Sequence, residues 1–323
     1  MSRLGDYPLS YLAADGTRAD HILPLMYYLL SVAIIVCVII AALLWVGVRR
    51  HRDTGLAPDI REVAVIRGVP AVSWIGWGVG ISSVPILVGL VWTMVALGST
   101  YGPPRDPALT LDVTGHQWWW EVRYDSPDPS QQFLTANEIH IPVGEPVLVR
   151  LHGDDVIHSF WVPKLTGKTD TIPGQVNIAW MQADHPGRYR GQCTEYCGFQ
   201  HAHMAFEVVA EPRADFDRWR AAQLAPAPAP TTPAEQRGRA LIEYRCGLCH
   251  QVRGTLAAAI TAPDLTHLAS RRMLAAGTLL NNPGNLSGWI ENPQQVKPEA
   301  LMPNQFLSAA ELSDARAYLE TLK

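Results

Sequence analysis

The chain has 323 residues, 48% of them hydrophobic and 17% charged, which is enough length for two or three folded units. Its formal net charge of -4 lacks the basic excess that a nucleic-acid partner would require.

From Ile22 to Val48, and again from Val69 to Leu97, no charged residue occurs. Each run is longer than the roughly 20 residues a helix needs to cross a hydrocarbon layer of about 30 Å. The two runs predict membrane helices at 22–48 and 69–97, with a pair of buried core helices as the competing reading. A secretory signal fits poorly, because Asp6, Asp15 and Asp20 stand where a basic start belongs. Pro85 and the glycines of the second run are tolerated in lipid where neighbouring helices satisfy the backbone, which points to a larger membrane complex. Cys37, midway along the first run, reads as a small apolar packing residue. Arg49, Arg50, Arg52, Arg61 and Arg67 crowd the 49–68 segment, whereas 1–21 carries Arg3 and Arg18. The positive-inside bias makes that loop cytoplasmic and places 1–21 and everything beyond 97 outside.

The exported part divides again. Across 98–223, runs such as LTLDV, PVLVRLH, VNIAWMQ and MAFEVVA alternate with Gly, Pro and Asp turns, the pattern of an antiparallel sandwich or barrel. Residues 224–235 alternate Ala and Pro and predict an extended, semi-stiff linker. Residues 236–323 read as helical, with Ser308 and Glu311 forming a capping box before the last helix.

Two stretches carry chemistry. In CTEYCGFQHAHM, the residues Cys193, Cys197, His201 and Met204 offer thiolate, imidazole and thioether donors, a set that selects soft copper. One copper needs a single cysteine; two thiolates can bridge two ions, and His158 in DDVIHSFWVP is the candidate second imidazole. A disulfide between Cys193 and Cys197 and a four-donor zinc site compete, although zinc has no use for Met204. His116, His140, His152, His185 and His203 read as ordinary surface or core residues. The second stretch, CGLCH, places Cys246 and Cys249 to bond one haem covalently and His250 to ligate its iron. Met302 in EALMP is the expected second axial ligand, Met273 its rival, and His/Met ligation suits electron transfer. A redox-active dithiol would explain Cys246 and Cys249 but neither His250 nor Met302.

GHQWWWEVRY, DDVIHSFWVPKLTGKTDTIPG and CTEYCGFQHAHM, in that order behind two apolar runs, resemble subunit II of the haem-copper cytochrome c oxidases over about residues 20–212. Residues 233–323 resemble a class I cytochrome c, with TAPDLTHL as its proline loop. The resemblance implies a multi-domain chain: a two-helix transmembrane hairpin, an all-β cupredoxin-like sandwich, then an all-α class I cytochrome c domain. It implies a dinuclear copper centre, CuA, held by His158, Cys193, Cys197, His201, Met204 and the backbone carbonyl of Glu195, whose carboxylate binds magnesium at the boundary with subunit I. It puts Trp118 where electrons come in, although WWW also reads as a membrane-facing aromatic belt and departs at Trp119 from the commoner Trp-Tyr-Trp. The implied work is to pass electrons from fused haem c to CuA and on to the haem groups of subunit I, where oxygen is reduced to water. Subunit III, and a cytochrome c or upstream respiratory complex as donor, are the further partners, at a bacterial inner membrane. A short tether would raise the effective concentration of the haem domain to the millimolar range. The exported domain is acidic, as the family's receptors for basic cytochrome c are. A CuA-containing nitric oxide reductase and a periplasmic copper-delivery or thiol-redox protein are the alternatives.

Overall fold

The computed structural model describes residues 9–51, 71–103 and 105–323. Arg3, Arg52, Arg61 and Arg67, on which the orientation argument leans, lie outside the described residues, as does most of the expected 49–68 loop. The chain forms two compact units, Asp20–Gly102, and Met1–Ala19 together with Pro103–Lys323.

In the first unit, α1 (Thr17–His51) extends beyond the uncharged run 22–48 at both ends and α2 (Ala71–Thr100) runs past the C-terminal end of 69–97, because a helical backbone bonds locally and continues until something stops it. Most of their described apolar side chains are uncovered: Leu43 is 67% exposed and Ile81 69%, whereas Leu25 and Ala96 are buried. Core helices of a water-soluble domain would be covered, so that reading fails. Tyr28 Oη donates to the Pro85 carbonyl at 2.8 Å, and the Tyr28 and Trp92 rings lie 5.5 Å apart, so the two helices touch each other. Cys37 is exposed on α1.

The second unit begins with a β-sandwich. One sheet holds β1 (Leu109–His116), β2 (Trp119–Tyr124), β3 (Phe133–Ala136), β5 (Val147–Gly153) and β8 (Asn177–Met181) in the order β3-β2-β1-β5-β8. The other holds β4 (Glu138–Pro142), β9 (Gly187–Gln192) and β10 (Ala205–Glu211) in the order β4-β10-β9. A small pair, β6 (His158–Phe160) and β7 (Thr169–Thr171), lies between β5 and β8 in sequence. The sandwich is not purely antiparallel as expected: β1 pairs in parallel with β5, and β4 with β10. Long connections that leave one edge and return to another bring those strands together, and alternation along a strand is blind to such crossings. Strand β1 alternates buried and half-buried positions, sending Leu109, Leu111 and Val113 inward. They meet Trp120, whose ring stands edge-on to Phe160 at 5.8 Å and Phe206 at 5.6 Å. Helix α3 (Arg213–Leu224) then lays Trp219 flat on His140, 4.0 Å between rings.

The expected 224–235 linker is shorter than the composition suggests. Leu224 still belongs to α3, and α4 (Pro233–Leu241) starts inside the Pro/Ala run because Pro suits a first helical turn and Thr232 with Glu235 forms a capping box. After α4 come a hairpin, β11 (Met273–Leu274) with β12 (Leu279–Leu280), then α5 (Pro283–Glu291), α6 (Pro293–Val296) and α7 (Ala309–Leu319). Ser308 and Glu311 cap α7 reciprocally at 3.3 and 2.8 Å. Helices α4 and α7 cross so closely that a Cβ on Gly238 would lie 2.0 Å from the Asp314 carbonyl oxygen, which only glycine permits.

Candidate metal and haem sites

Strand β9 ends at Gln192, and the chain loops through Cys193–Met204 before β10 returns beside it. The loop is closed at its base, where the Cys193 N–H donates to the Met204 carbonyl at 2.9 Å, and braced sideways, where the Thr194 N–H donates to the Ser159 carbonyl at 3.1 Å. That brace sets the loop against β6, which carries His158. The donors converge. Cys193 Sγ lies 3.8 Å from Cys197 Sγ and 4.0 Å from His158 Nδ1. Cys197 Sγ lies 3.5 Å from His201 Nδ1 and 3.8 Å from Met204 Sδ, and the Glu195 carbonyl is 3.4 Å from Cys193 Sγ.

A disulfide would need its sulfurs about 2.05 Å apart; both cysteines are free, and that reading drops out. Cys193, Cys197, His158 and Met204 are buried, so the site is a closed set of mostly soft donors with a thioether among them, which fits copper better than zinc. The hydrogen bond between the thiols draws Cys193 well below the ordinary thiol range and drives Cys197 above it, so the pair readily holds one negative charge. Asp155 Oδ1 bonds His158 Nε2 at 2.8 Å, which turns Nδ1 toward Cys193. The ring fits because position 115 has no side chain: a Cβ on Gly115 would lie 2.7 Å from His158 Cδ2. The Cys197 carbonyl accepts from Gln117 Nε2 at 2.6 Å and Trp118 Nε1 at 2.9 Å. Trp118 and Trp120 are buried, so WWW is not a lipid-facing belt; Trp119 alone is partly exposed, stacked on His116 at 4.4 Å. Glu195 is exposed.

The haem motif is built locally. Cys246 closes a π-turn that extends α4, and its carbonyl accepts from the Cys249 and His250 N–H groups at 3.0 and 2.9 Å. His250 Nδ1 donates to the Pro263 carbonyl at 2.7 Å, leaving Nε2 for a metal. Burial lowers the His250 pKa, favouring the neutral imidazole that ligation needs. Leu248 in the motif, and Leu301 and Phe306 flanking Met302 and the following turn, expose 77%, 85% and 87% of their surface, apolar lining that suits a macrocycle. Gln294 Nε2 holds the Met302 loop by donating to the Ala300 and Met302 carbonyls at 2.6 and 2.7 Å. Met273 is tied into β11, paired with Leu280.

The five histidines read as ordinary have ordinary partners: His116 with Asp154 at 3.2 Å, His152 with Asp112 at 3.1 Å, His140 between Glu211 at 2.6 Å and Glu138 at 3.1 Å, His185 with Asp15 at 4.0 Å and His203 with Gln200 at 2.6 Å. Sequence reasoning missed Asp155, Gly115, Gln117 and Lys297. Asp155 left a signal, an acid three residues before a candidate ligand histidine; Lys297, whose Nζ reaches the Trp118 carbonyl at 2.6 Å, left none.

Residues 127–211 match the family described as cytochrome c oxidase subunit II, periplasmic domain, a span that includes every proposed copper donor. Residues 235–323 match the cytochrome c family. The chain is 34% identical to cytochrome c oxidase subunit 2 of Alkalihalophilus pseudofirmus, over 99% of this chain and 92% of that one. It is also 34% identical to cytochrome c oxidase subunit 2 of Bacillus sp. strain PS3, over 67% of this chain and 62% of that one. Among solved structures, the periplasmic domain of subunit II of the Bradyrhizobium japonicum cytochrome oxidase aligns at 32% identity and a TM-score of 0.35, covering 37% of this chain and 95% of that one.

Proposed function

The chain belongs to the cytochrome c oxidase subunit 2 family and ends in a cytochrome c domain, and from that premise we propose that it carries electrons from fused haem c to a dinuclear copper centre and on toward subunit I. The observation that bears most weight is the pair of free, buried thiols 3.8 Å apart, flanked by two imidazoles and a thioether. His158, Cys193, Cys197, His201, Met204 and the Glu195 carbonyl hold the copper. When bound, copper and haem supply one-electron exchange; the residues supply a geometry that need not change with it.

Each side chain has a narrow task. Cys193 and Cys197 would supply the two thiolates that hold the copper, and Asp155 fixes the face that His158 presents. Trp118, whose indole N–H donates to the Cys197 carbonyl, would be the entry point for electrons, a reading that this hydrogen bond supports. Cys246 and Cys249 would anchor haem, and His250 with Met302 would hold its iron. The Glu195 carboxylate is exposed and would take magnesium at the boundary with subunit I. Subunits I and III complete the complex, a cytochrome c or an upstream respiratory complex donates, and oxygen reduction belongs to subunit I. The two apolar helices span a bacterial plasma membrane twice with both soluble domains outside. In support, the Asp15 N–H donates to the Lys164 carbonyl at 2.9 Å and Thr17 Oγ1 to Asp184 at 3.0 Å, so the residues before the first span share the side of the sandwich.

Electron paramagnetic resonance on the intact complex tests the reading. A mixed-valence signal coupled to two equivalent copper nuclei is expected; a single-copper pattern, or zinc at this loop, sinks it.

A further inference from the structure

A lysine from the haem domain is buried against the copper domain. Lys297 follows α6, is 3% exposed, and its Nζ donates to the carbonyls of Trp118 at 2.6 Å and His203 at 2.8 Å, with the Ala275 carbonyl at 3.4 Å. Lysines normally run their stems along a surface and keep the ammonium in water; burying one costs free energy unless its donors are used. Burial pulls this one down to about 7, and both the ammonium and the neutral amine retain the two donors that the short contacts use. Its partners are not arbitrary. Trp118 donates to the Cys197 carbonyl, and His203 sits between His201 and Met204.

Three further contacts join the same faces. The Ala205 N–H, adjacent to Met204, donates to the Ala276 carbonyl at 2.9 Å. Arg272 reaches Glu207 from Nη2 at 2.9 Å, and its N–H donates to Glu138 at 3.2 Å. The hairpin turn between β11 and β12 puts Ala275 and Ala276 at φ of 50° and 54°, a left-handed conformation that residues with a Cβ keep only where their surroundings hold it. The linker is tied down too: the Ala227 N–H donates to the Arg253 carbonyl at 2.9 Å, and Arg253 bonds the Gln223 carbonyl.

We propose that Lys297 is a positioning residue that seats the haem domain on the copper loop through the Trp118 and His203 carbonyls. The two domains then act as one docked body, not as partners on a swinging tether. The proposal rests on the copper and haem reading above for its consequence, but not for its geometry.

Hydrogen exchange read by mass spectrometry on the full chain in its oxidase complex tests it. In Lys297→Met, peptides covering 203–206 and 271–278 should exchange about tenfold faster, the factor expected for losing hydrogen bonds from a charged group. Covalent haem and copper absorption should persist. After photoinjection of one electron into the haem domain, its transfer to copper should slow about tenfold, while reduction of that domain by an external donor keeps its rate. In the unaltered complex the internal transfer should ignore ionic strength, since salt screens exposed charges and not this buried contact. Unchanged exchange and unchanged internal transfer in Lys297→Met overturn the proposal. Should that variant fail to assemble, Arg272→Gln, at a half-exposed ion pair, should raise exchange in the same peptides about threefold, and no rise there overturns it equally. A copper-free complex would sink the reading of the loop and leave the exchange result to decide docking alone.

Discussion

The copper loop and the haem motif hold their donors by opposite means. Cys246, Cys249 and His250 fall within five residues and are set by backbone bonds of one turn, 3.0 and 2.9 Å to the Cys246 carbonyl. The copper donors come from two places far apart in sequence: His158 on β6, and a loop between β9 and β10 that the sandwich must bring to it. A local site survives damage elsewhere; a convergent one depends on the framework. The difference is sharp enough to test.

The largest effect is expected from Cys197→Ser, which removes one of the two buried sulfurs: copper by elemental analysis should fall to background while the peroxidase-active haem band remains. Loss of both would mean the sites are not independent. Next, Met302→Ala should abolish the His/Met absorption features with haem still attached, and Met273→Ala should leave them intact; the reverse pattern moves the axial ligand into the hairpin. Asp155→Asn removes an orienting partner rather than a donor, and should weaken copper binding about 10- to 100-fold in chelator competition, with the haem spectrum untouched. The smallest effect concerns the framework. Burial opposes charge on His140, but Glu138 and Glu211 outweigh it and hold the imidazole above its ordinary 6.5. A raised folded-state value stabilises fully below pH 6.5 and fades as pH rises through that value. The margin in thermal stability of the native chain over His140→Gln, about 1 kcal/mol at acidic pH, should therefore shrink in alkaline buffer; a margin that grows with pH would reverse the assignment.

Legibility followed the range of the forces involved. The apolar runs, the Ser308 capping box and CGLCH depend on neighbours within a few residues, and each reads directly from the chain. The spacing of Cys193, Cys197, His201 and Met204 likewise announced a soft-metal loop, since one loop must place all four. The parallel pairing of β1 with β5 was not legible, because alternation records which face is buried and not which strand lies alongside. Nor was the start of α4 inside the Pro/Ala run, where proline at a first turn and proline in an extended linker look alike.

What the amino-acid order alone determined is the inventory: two long apolar helices, a soft-donor loop, a CGLCH motif and a capped terminal helix. Only the tertiary structure decided that Asp155 turns His158, that Gly115 leaves its ring room, and that Lys297 spends its donors on Trp118 and His203. These contacts join residues separated by anything from three to 179 positions. Their strength comes from burial, and no pattern along a chain records which groups folding will hide from water together.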